Sequence, residues 1–411
     1  WAWDEHFVLS GRTPPGCRMN SPRPAYCVSP GGPGAPGAPL PSQRVTLRNH
    51  KTPVLSLIVA VIATIITPMA AIDDNARSRD DDSPLCQARQ LVAPAAFDTV
   101  DAEFENDLFW REHAQLLRLG WSEWQQSHNT NNAEYVDVLD PALSRVLDDA
   151  SFQPSEETES KVFSYWTSKS TSPPKGVYSA RVLSRDGVAH LRNLLDSATS
   201  AGIPLRRPNA MNRNGLIIDP NVDGALPLQP LVKTIEDLVD KLLRPVGRML
   251  FPDRISCGDD INYYAFTIRY QSEADETPSA TPRDVELKEH SDASVVTMNI
   301  NLNLPNETNY DGSQIFFRSF PENSTCASGD RNDFNEIRFS PGMGLIHLGA
   351  HRHGSSPTSS GSRYNIVIWL FGMDGDVRVA PYKDSERLTP HQRWRGCSSE
   401  GSFDAAMMNR G

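Results

Sequence analysis

No Cys-x-x-Cys pair occurs among the six cysteines of this 411-residue chain (Cys17, Cys27, Cys86, Cys257, Cys326 and Cys397). A zinc-ribbon framework therefore has no ligand set to build on. Positive charge is also scarce: 40 Lys and Arg stand against 51 Asp and Glu, a net charge of −11, and no basic stripe with interleaved aromatics is present. That balance argues against a nucleic-acid-binding surface. It bears on solubility and partner charge, not on fold. No internal repeat is visible, so repeat architectures have no support.

What is present suits a globular protein that carries some unstructured sequence: 22% charged and 38% hydrophobic residues. The length leaves room for one large or two ordinary domains, so core size is not limiting. Residues 1–52 are rich in Pro, Gly and Ser (Ser29 to Pro41 reads SPGGPGAPGAPLP) and cannot bury enough apolar surface to order themselves. Residues 53–72 then run for twenty positions without a charge. At about 1.5 Å per residue a helix there spans roughly 30 Å, the hydrocarbon core of a bilayer. A single-pass transmembrane signal anchor is the expectation. The alternatives are a cleaved signal peptide, with a weak small-x-small site near Pro68 to Ala71, and a buried core helix. Arg44, Arg48 and Lys51 before the segment outnumber Arg77 and Arg79 after it, which orients the bulk of the chain to the ER/Golgi lumen. Two glycosylation sequons, Asn306-Glu-Thr308 and Asn323-Ser-Thr325, agree with that side. The four cysteines beyond the segment can form two lumenal disulfides in any of three connectivities; buried free thiols are the alternative.

After a polar linker at 73–94, residues 95–254 have the periodicity of a mainly helical region. Asp101 to Leu117 has apolar residues at helical spacing with acids in its first turn. Ser184 is placed to cap a helix running to Leu195, and Leu228 to Leu250 is an amphipathic run with a kink expected at Pro245. From residue 255 to 375 the character changes to strands. Ile261 to Tyr270 is β-branched and aromatic, Val295 to Leu304 alternates strictly, and Ser313 to Phe320, Gly344 to Leu348 and Arg363 to Phe371 continue the pattern. The class is α+β, with an antiparallel barrel or sandwich behind a helical region and a tail at 376–411.

Within the strand-rich part, His290 and Asp292 form an H-x-D triplet. Alone it is weak, since roughly one is expected by chance among ten histidines. In a strand, residues two apart point to one face, so both side chains can reach one ion. His353 lies 61 residues beyond Asp292, and Arg363 ten beyond His353, at the start of an apolar strand. Two neutral imidazoles and a carboxylate make the facial triad that holds non-haem Fe(II) with positions left open. A guanidinium nearby can pair bidentately with a carboxylate. The alternation raises a difficulty: if the strand is unbroken from His290, its apolar side shares the ligands' face, so a bend or bulge is expected between them. A rival metal reading uses His347, His351 and His353, which would share a face if one strand carried all three.

The series H-x-D, then His, then Arg ten residues on resembles the Fe(II)/2-oxoglutarate-dependent dioxygenases. It is most similar to their prolyl and lysyl hydroxylase branch over Tyr263 to Gly372, through His290-Ser-Asp-Ala-Ser294, Thr297 to Asn303, Pro341 to Gly349 and His353 to Tyr364. The resemblance implies a double-stranded β-helix (jelly-roll, cupin-like). It puts Fe(II) on His290, Asp292 and His353, and the distal carboxylate of 2-oxoglutarate on Arg363. It also implies O2 as co-substrate, ascorbate as a candidate accessory reductant, and a peptidyl proline or lysine as the hydroxylated group. Two positions depart from the pattern. Asp311-Gly-Ser-Gln314 stands where many relatives have consecutive glycines, and Leu287 stands where prolyl hydroxylases often have tyrosine. The same chemistry on a sugar, lipid or small molecule, and a non-catalytic binding protein on a decayed oxygenase fold, are the alternatives.

Overall fold

A computed structural model describes residues 44–45, 82–94, 100–128, 136–167, 176–208, 212, 214–272, 284–307, 310–318 and 334–396. The predicted membrane anchor at 53–72 and the sequon at Asn323 lie outside these residues. Among the described residues no helix is long and apolar enough to cross a membrane.

The helices begin where the sequence provides caps. Helix α1 (Pro84–Gln90) has Ser83 Oγ accepting from the Cys86 amide, and it packs on α2 (Val100–Ser127). The two come so close that a Cβ on Gly120 would lie 2.7 Å from that of Ala88. Helix α3 (Pro141–Phe152) is capped by Asp140 and followed by α4 (Glu156–Thr167). Ser184 caps α5 (Arg185–Ser200) as its position predicts, its Oγ accepting from the Gly187 amide at 2.9 Å. The long run from Leu228 becomes α6 (Gln229–Leu238), a π turn over Val239–Leu243, and α7 (Arg244–Leu250). The irregularity expected at Pro245 thus falls just before it: the Arg244 amide bonds back to Val239, and Pro245 has no amide hydrogen with which to continue the regular ladder.

The strands are β1 (Arg44–Val45), β2 (Val177–Arg181), β3 (Asn262–Gln271), β4 (Leu287–His290), β5 (Val296–Asn301), β6 (Asp311–Gly312) and β7 (Ile315–Arg318). They continue as β8 (Phe334–Ile337), β9 (Met343–Leu348), β10 (His353–Ser355), β11 (Thr358–Ser360), β12 (Ser362–Phe371) and β13 (Val377–Arg378). Two antiparallel sheets dominate, ordered β2-β9-β5-β12-β3 and β4-β10-β7-β8. The mixed class with antiparallel sheets is the one the periodicities predict. β5 is buried along its whole length. Val296, Met298 and Ile300 belong to the core shared with the helices, with Ile346, Ile366 and Ile368 beside them. The intervening Thr297, Asn299 and Asn301 face the other way and are buried too. The polar half of the alternation therefore lines an interior, not a solvent face.

The described residues of the stretches 95–254, 255–375 and 376–396 share that core, which runs from Ala88 to Trp394. Strand β2, inside the mainly helical stretch, pairs with β9. In the terminal stretch, β13 pairs with β1, and helix α8 (Pro390–Arg395) buries Trp394. Glu159 on α4 accepts from Arg393 Nε at 2.7 Å and from Trp394 Nε1 at 3.0 Å. Replacing Glu159 leaves a poorly hydrated guanidinium and an indole N–H without their acceptor. Glu159→Ala is expected to destabilise the fold by about 3 kcal/mol in denaturant titration; a change below about 0.5 kcal/mol would show that α8 is not anchored there.

Candidate metal centre

The chain leaves the smaller sheet at His290, the last residue of β4, and enters the larger one at Val296. Asp292 lies in the link between them. His290 and Asp292 therefore do not share a strand face as the two-residue spacing predicts. The change of sheet is the bend that the apolar alternation required. Their convergence is instead made by backbone bonds: the Asp292 amide donates to Gly349 O at 2.9 Å, and the Gly349 amide to Val295 O at 3.2 Å. His353 opens β10 and sits directly opposite His290 in the β10–β4 pairing.

The result is one compact donor set. Ligand atoms of His290, Asp292 and His353 lie within 4.8 Å of one another, the one such cluster among the described residues. His290 Nε2 is 3.3 Å from Asp292 Oδ1, and His353 Nε2 is 3.7 Å from Oδ2. Donors bound at about 2.1 Å and at right angles sit about 3.0 Å apart, so an ion fits after small side-chain adjustments. The ring nitrogens are already assigned. His290 Nδ1 is 2.8 Å from Lys288 O and His353 Nδ1 is 2.8 Å from His351 O. A carbonyl only accepts, so each Nδ1 carries a hydrogen and each Nε2 faces the centre.

Electrostatics favour the neutral imidazole at His353 but not at His290, where burial lowers the pKa and the Asp292 carboxylate prevails and raises it, so an ion binding there displaces a proton. Burial pushes the Asp292 carboxyl up, but His353 and His290 beside it prevail and hold it below the usual carboxylate range. Burial pushes the His353 imidazole down, towards the neutral form a metal requires. His347 on β9 is pushed down to about 3 by burial and by His353. The rival triple-histidine site does not form: β9 ends at Leu348 and a turn precedes His353. His351 Nε2 is bonded to Arg318 O instead.

Arg363, at the start of β12, is almost fully buried. Its Nη2 donates to Ser355 Oγ at 2.9 Å, and its guanidinium lies 4.9 Å from the centre of the Tyr270 ring. Nε and Nη1 have no partner, nor does the buried Tyr270 hydroxyl. Ser355 is two residues beyond His353 on the same strand, so both point to one face and tie Arg363 to the metal side. A buried cation with two idle donors is costly until an anion reaches it, and a carboxylate matches its fork. Ser355 and Tyr270 were missed in the sequence. The two-residue step from His353 to Ser355 could have marked the serine; only the β3–β12 register, which sets Arg363 opposite Tyr270, finds the tyrosine.

Fold and site together define a class: two antiparallel sheets, one of them backed by helices, that hold two imidazoles and a carboxylate, with a buried arginine on a neighbouring strand. No protein-family model matches the chain. It is 26% identical over 213 residues to the 2-oxoglutarate and iron-dependent oxygenase domain-containing protein 2 of Xenopus tropicalis, covering 52% of this chain and 54% of the relative. To the 2-oxoglutarate and iron-dependent oxygenase domain-containing protein ICU11 of Arabidopsis thaliana it is 29% identical over 171 residues, 40% of this chain and 36% of the relative. The chain thus spans about half of the first relative and about a third of the second. A Pseudomonas putida prolyl-4-hydroxylase structure aligns with a TM-score of 0.32 and 14% identity, over 58% of this chain and 99% of that one. The chain is similar to 2-oxoglutarate and iron-dependent oxygenase domain proteins, as its motifs imply.

On the outer face of β4, Glu289 accepts from Arg318 Nε at 2.7 Å and from Arg352 Nε at 2.6 Å. It joins the residues preceding His290 and His353 to the end of β7. The Arg318 hydrogen bond outweighs partial burial and, with Arg352, draws the Glu289 pKa down from 4.5 to about 2. A depressed folded-state pKa means stabilisation present above the unfolded value and lost as pH falls through the folded one. The stability difference between the native chain and Glu289→Gln should be constant above about pH 5 and shrink between pH 4.5 and about 2. Urea midpoints across that range would reveal it; a difference independent of pH would rule out the clamp.

Proposed function

We propose that the chain is an Fe(II)- and 2-oxoglutarate-dependent oxygenase, built as a double-stranded β-helix, that hydroxylates a prolyl or lysyl residue of a peptide. The observation that carries the reading is Arg363, a buried guanidinium with idle Nε and Nη1, tied through Ser355 to the strand of His353. His290, Asp292 and His353 are the residues proposed to hold iron, their ligand atoms lying within 4.8 Å of one another. Arg363, with Ser355 and Tyr270, would take the distal carboxylate of 2-oxoglutarate and so orient its 2-oxo end toward the ligands. Bound iron supplies O2 activation coupled to decarboxylation of the 2-oxo acid. In the net reaction, R–H, 2-oxoglutarate and O2 give R–OH, succinate and CO2, one oxygen atom going to each organic product.

The peptide substrate rests on the motif resemblance to prolyl and lysyl hydroxylases, and ascorbate as a reductant on the same ground. A secretory-pathway location behind a membrane anchor is proposed on the uncharged run at residues 53–72 and on the two sequons. Cys86 is free, so the two-disulfide expectation over all four lumenal cysteines does not hold.

Purified protein should release succinate from 2-oxoglutarate in an Fe(II)-dependent way, driven by a peptide pool that gains one oxygen in mass. His290→Ala should abolish turnover. Arg363→Ala, which removes a charge-assisted pair worth about 2 kcal/mol, should raise the 2-oxoglutarate KM roughly 30-fold. Absence of coupled or uncoupled turnover with every peptide pool would reject the reading.

A further inference from the structure

Asp292 has two carboxylate oxygens, and they are not equivalent. Oδ2 accepts from Thr297 Oγ1 at 2.6 Å and lies 3.7 Å from His353 Nε2, while Oδ1 makes the closer approach to an imidazole, 3.3 Å from His290 Nε2. Thr297 Oγ1 is also 2.7 Å from Ser294 Oγ. A hydroxyl has one hydrogen and a carboxylate only accepts, so the Thr297 hydrogen is committed to Asp292. The hydrogen between the two hydroxyls must then come from Ser294. The relay has one direction, Ser294 to Thr297 to Asp292, and each hydrogen bond polarises the next. Both hydroxyl residues are 1% exposed, which removes water as a competing donor.

We propose that Ser294 and Thr297 are positioning residues that hold Asp292 to a single coordinating oxygen, Oδ1. This rests on the reading of His290, Asp292 and His353 as a metal site. Engaging Oδ2 keeps the carboxylate from turning to bind through both oxygens, which would consume a position that substrates need. The backbone is shaped around the relay. A Cβ on Gly349 would lie 2.1 Å from Ser294 O and 2.3 Å from Ser294 Oγ, so only glycine lets the link from β4 to β5 close against the end of β9. Thr297 stands opposite His347 on β9 and Trp369 on β12, in the middle of the five-stranded sheet, where its rotamer is fixed by neighbours on both sides.

The test is Co(II) titration of the full apo chain, followed by visible absorption and calorimetry. Thr297→Val keeps the side-chain shape and deletes the donor. It should weaken Co(II) binding about 10- to 100-fold and alter the Co(II) absorption band. Thr297→Ser restores the hydroxyl and should bind within about twofold of the native chain. Ser294→Ala, which removes the far donor only, should cost about threefold to tenfold and serves if the valine variant does not fold. Native-like affinity with an unchanged band in Thr297→Val, or in Ser294→Ala where only that variant folds, would overturn the relay. Failure of the native chain itself to take up Co(II) would overturn the metal reading and the relay's role with it.

Discussion

The pairing of His290 with His353 across β4 and β10 is the constraint on which the rest of the site depends. Two imidazoles are thereby set with ring centres 4.4 Å apart, close enough to share one ion. Backbone carbonyls turn their Nε2 atoms inward. Local chain stiffness cannot do this, because the two residues lie 63 positions apart. The small sheet makes them neighbours, and Phe317, buried on β7 and stacked against the His353 ring, limits the space in which that ring can move.

A carboxylate in this place is expensive in isolation and stable in company. Asp292 accepts from Thr297, donates its amide to Gly349 and lies between two imidazoles. Burial alone would favour its neutral acid; the neighbouring groups reverse that. Arg363 is the complementary case. Ser355 satisfies one of its nitrogens and Tyr270 offers a ring face, yet two nitrogens stay idle. Such an arrangement is tolerated where an anion arrives to complete it. The site thus contains a fixed charge on each side: a carboxylate prepared for a cation and a cation prepared for a carboxylate.

The helical part is more than a cover. Its core is continuous with the outer face of the five-stranded sheet, and β2 extends that sheet from within the helical stretch. Rigid support on one face leaves the opposite face free to be polar. That is why Thr297, Asn299 and Asn301 can be buried without breaking the fold: Asn365 Nδ2 donates to Asn299 Oδ1 at 2.8 Å, and Asn301 Nδ2 to Phe339 O at 3.2 Å. On the open side, β4 is an edge strand of only four residues, and the Glu289 clamp with Arg318 and Arg352 ties it to the structure next to the ligands.

By itself the sequence determined the elements and the donor types. Alternation of period two over Val295 to Leu304, the Ser184 cap and the helical spacing of Asp101 to Leu117 are local properties, set by backbone geometry and side-chain shape. The H-x-D and His series likewise named the three donors that converge, through its resemblance to a known family. What spacing could not reveal is how they meet. Asp292 is brought to His290 by a change of sheet and not by a shared strand face, and its orientation depends on Ser294, Thr297 and Gly349. The partners of Arg363, Tyr270 and Ser355, come from two other strands. These decisions belong to tertiary structure because each is a contact between segments whose relative position is set only when both sheets close.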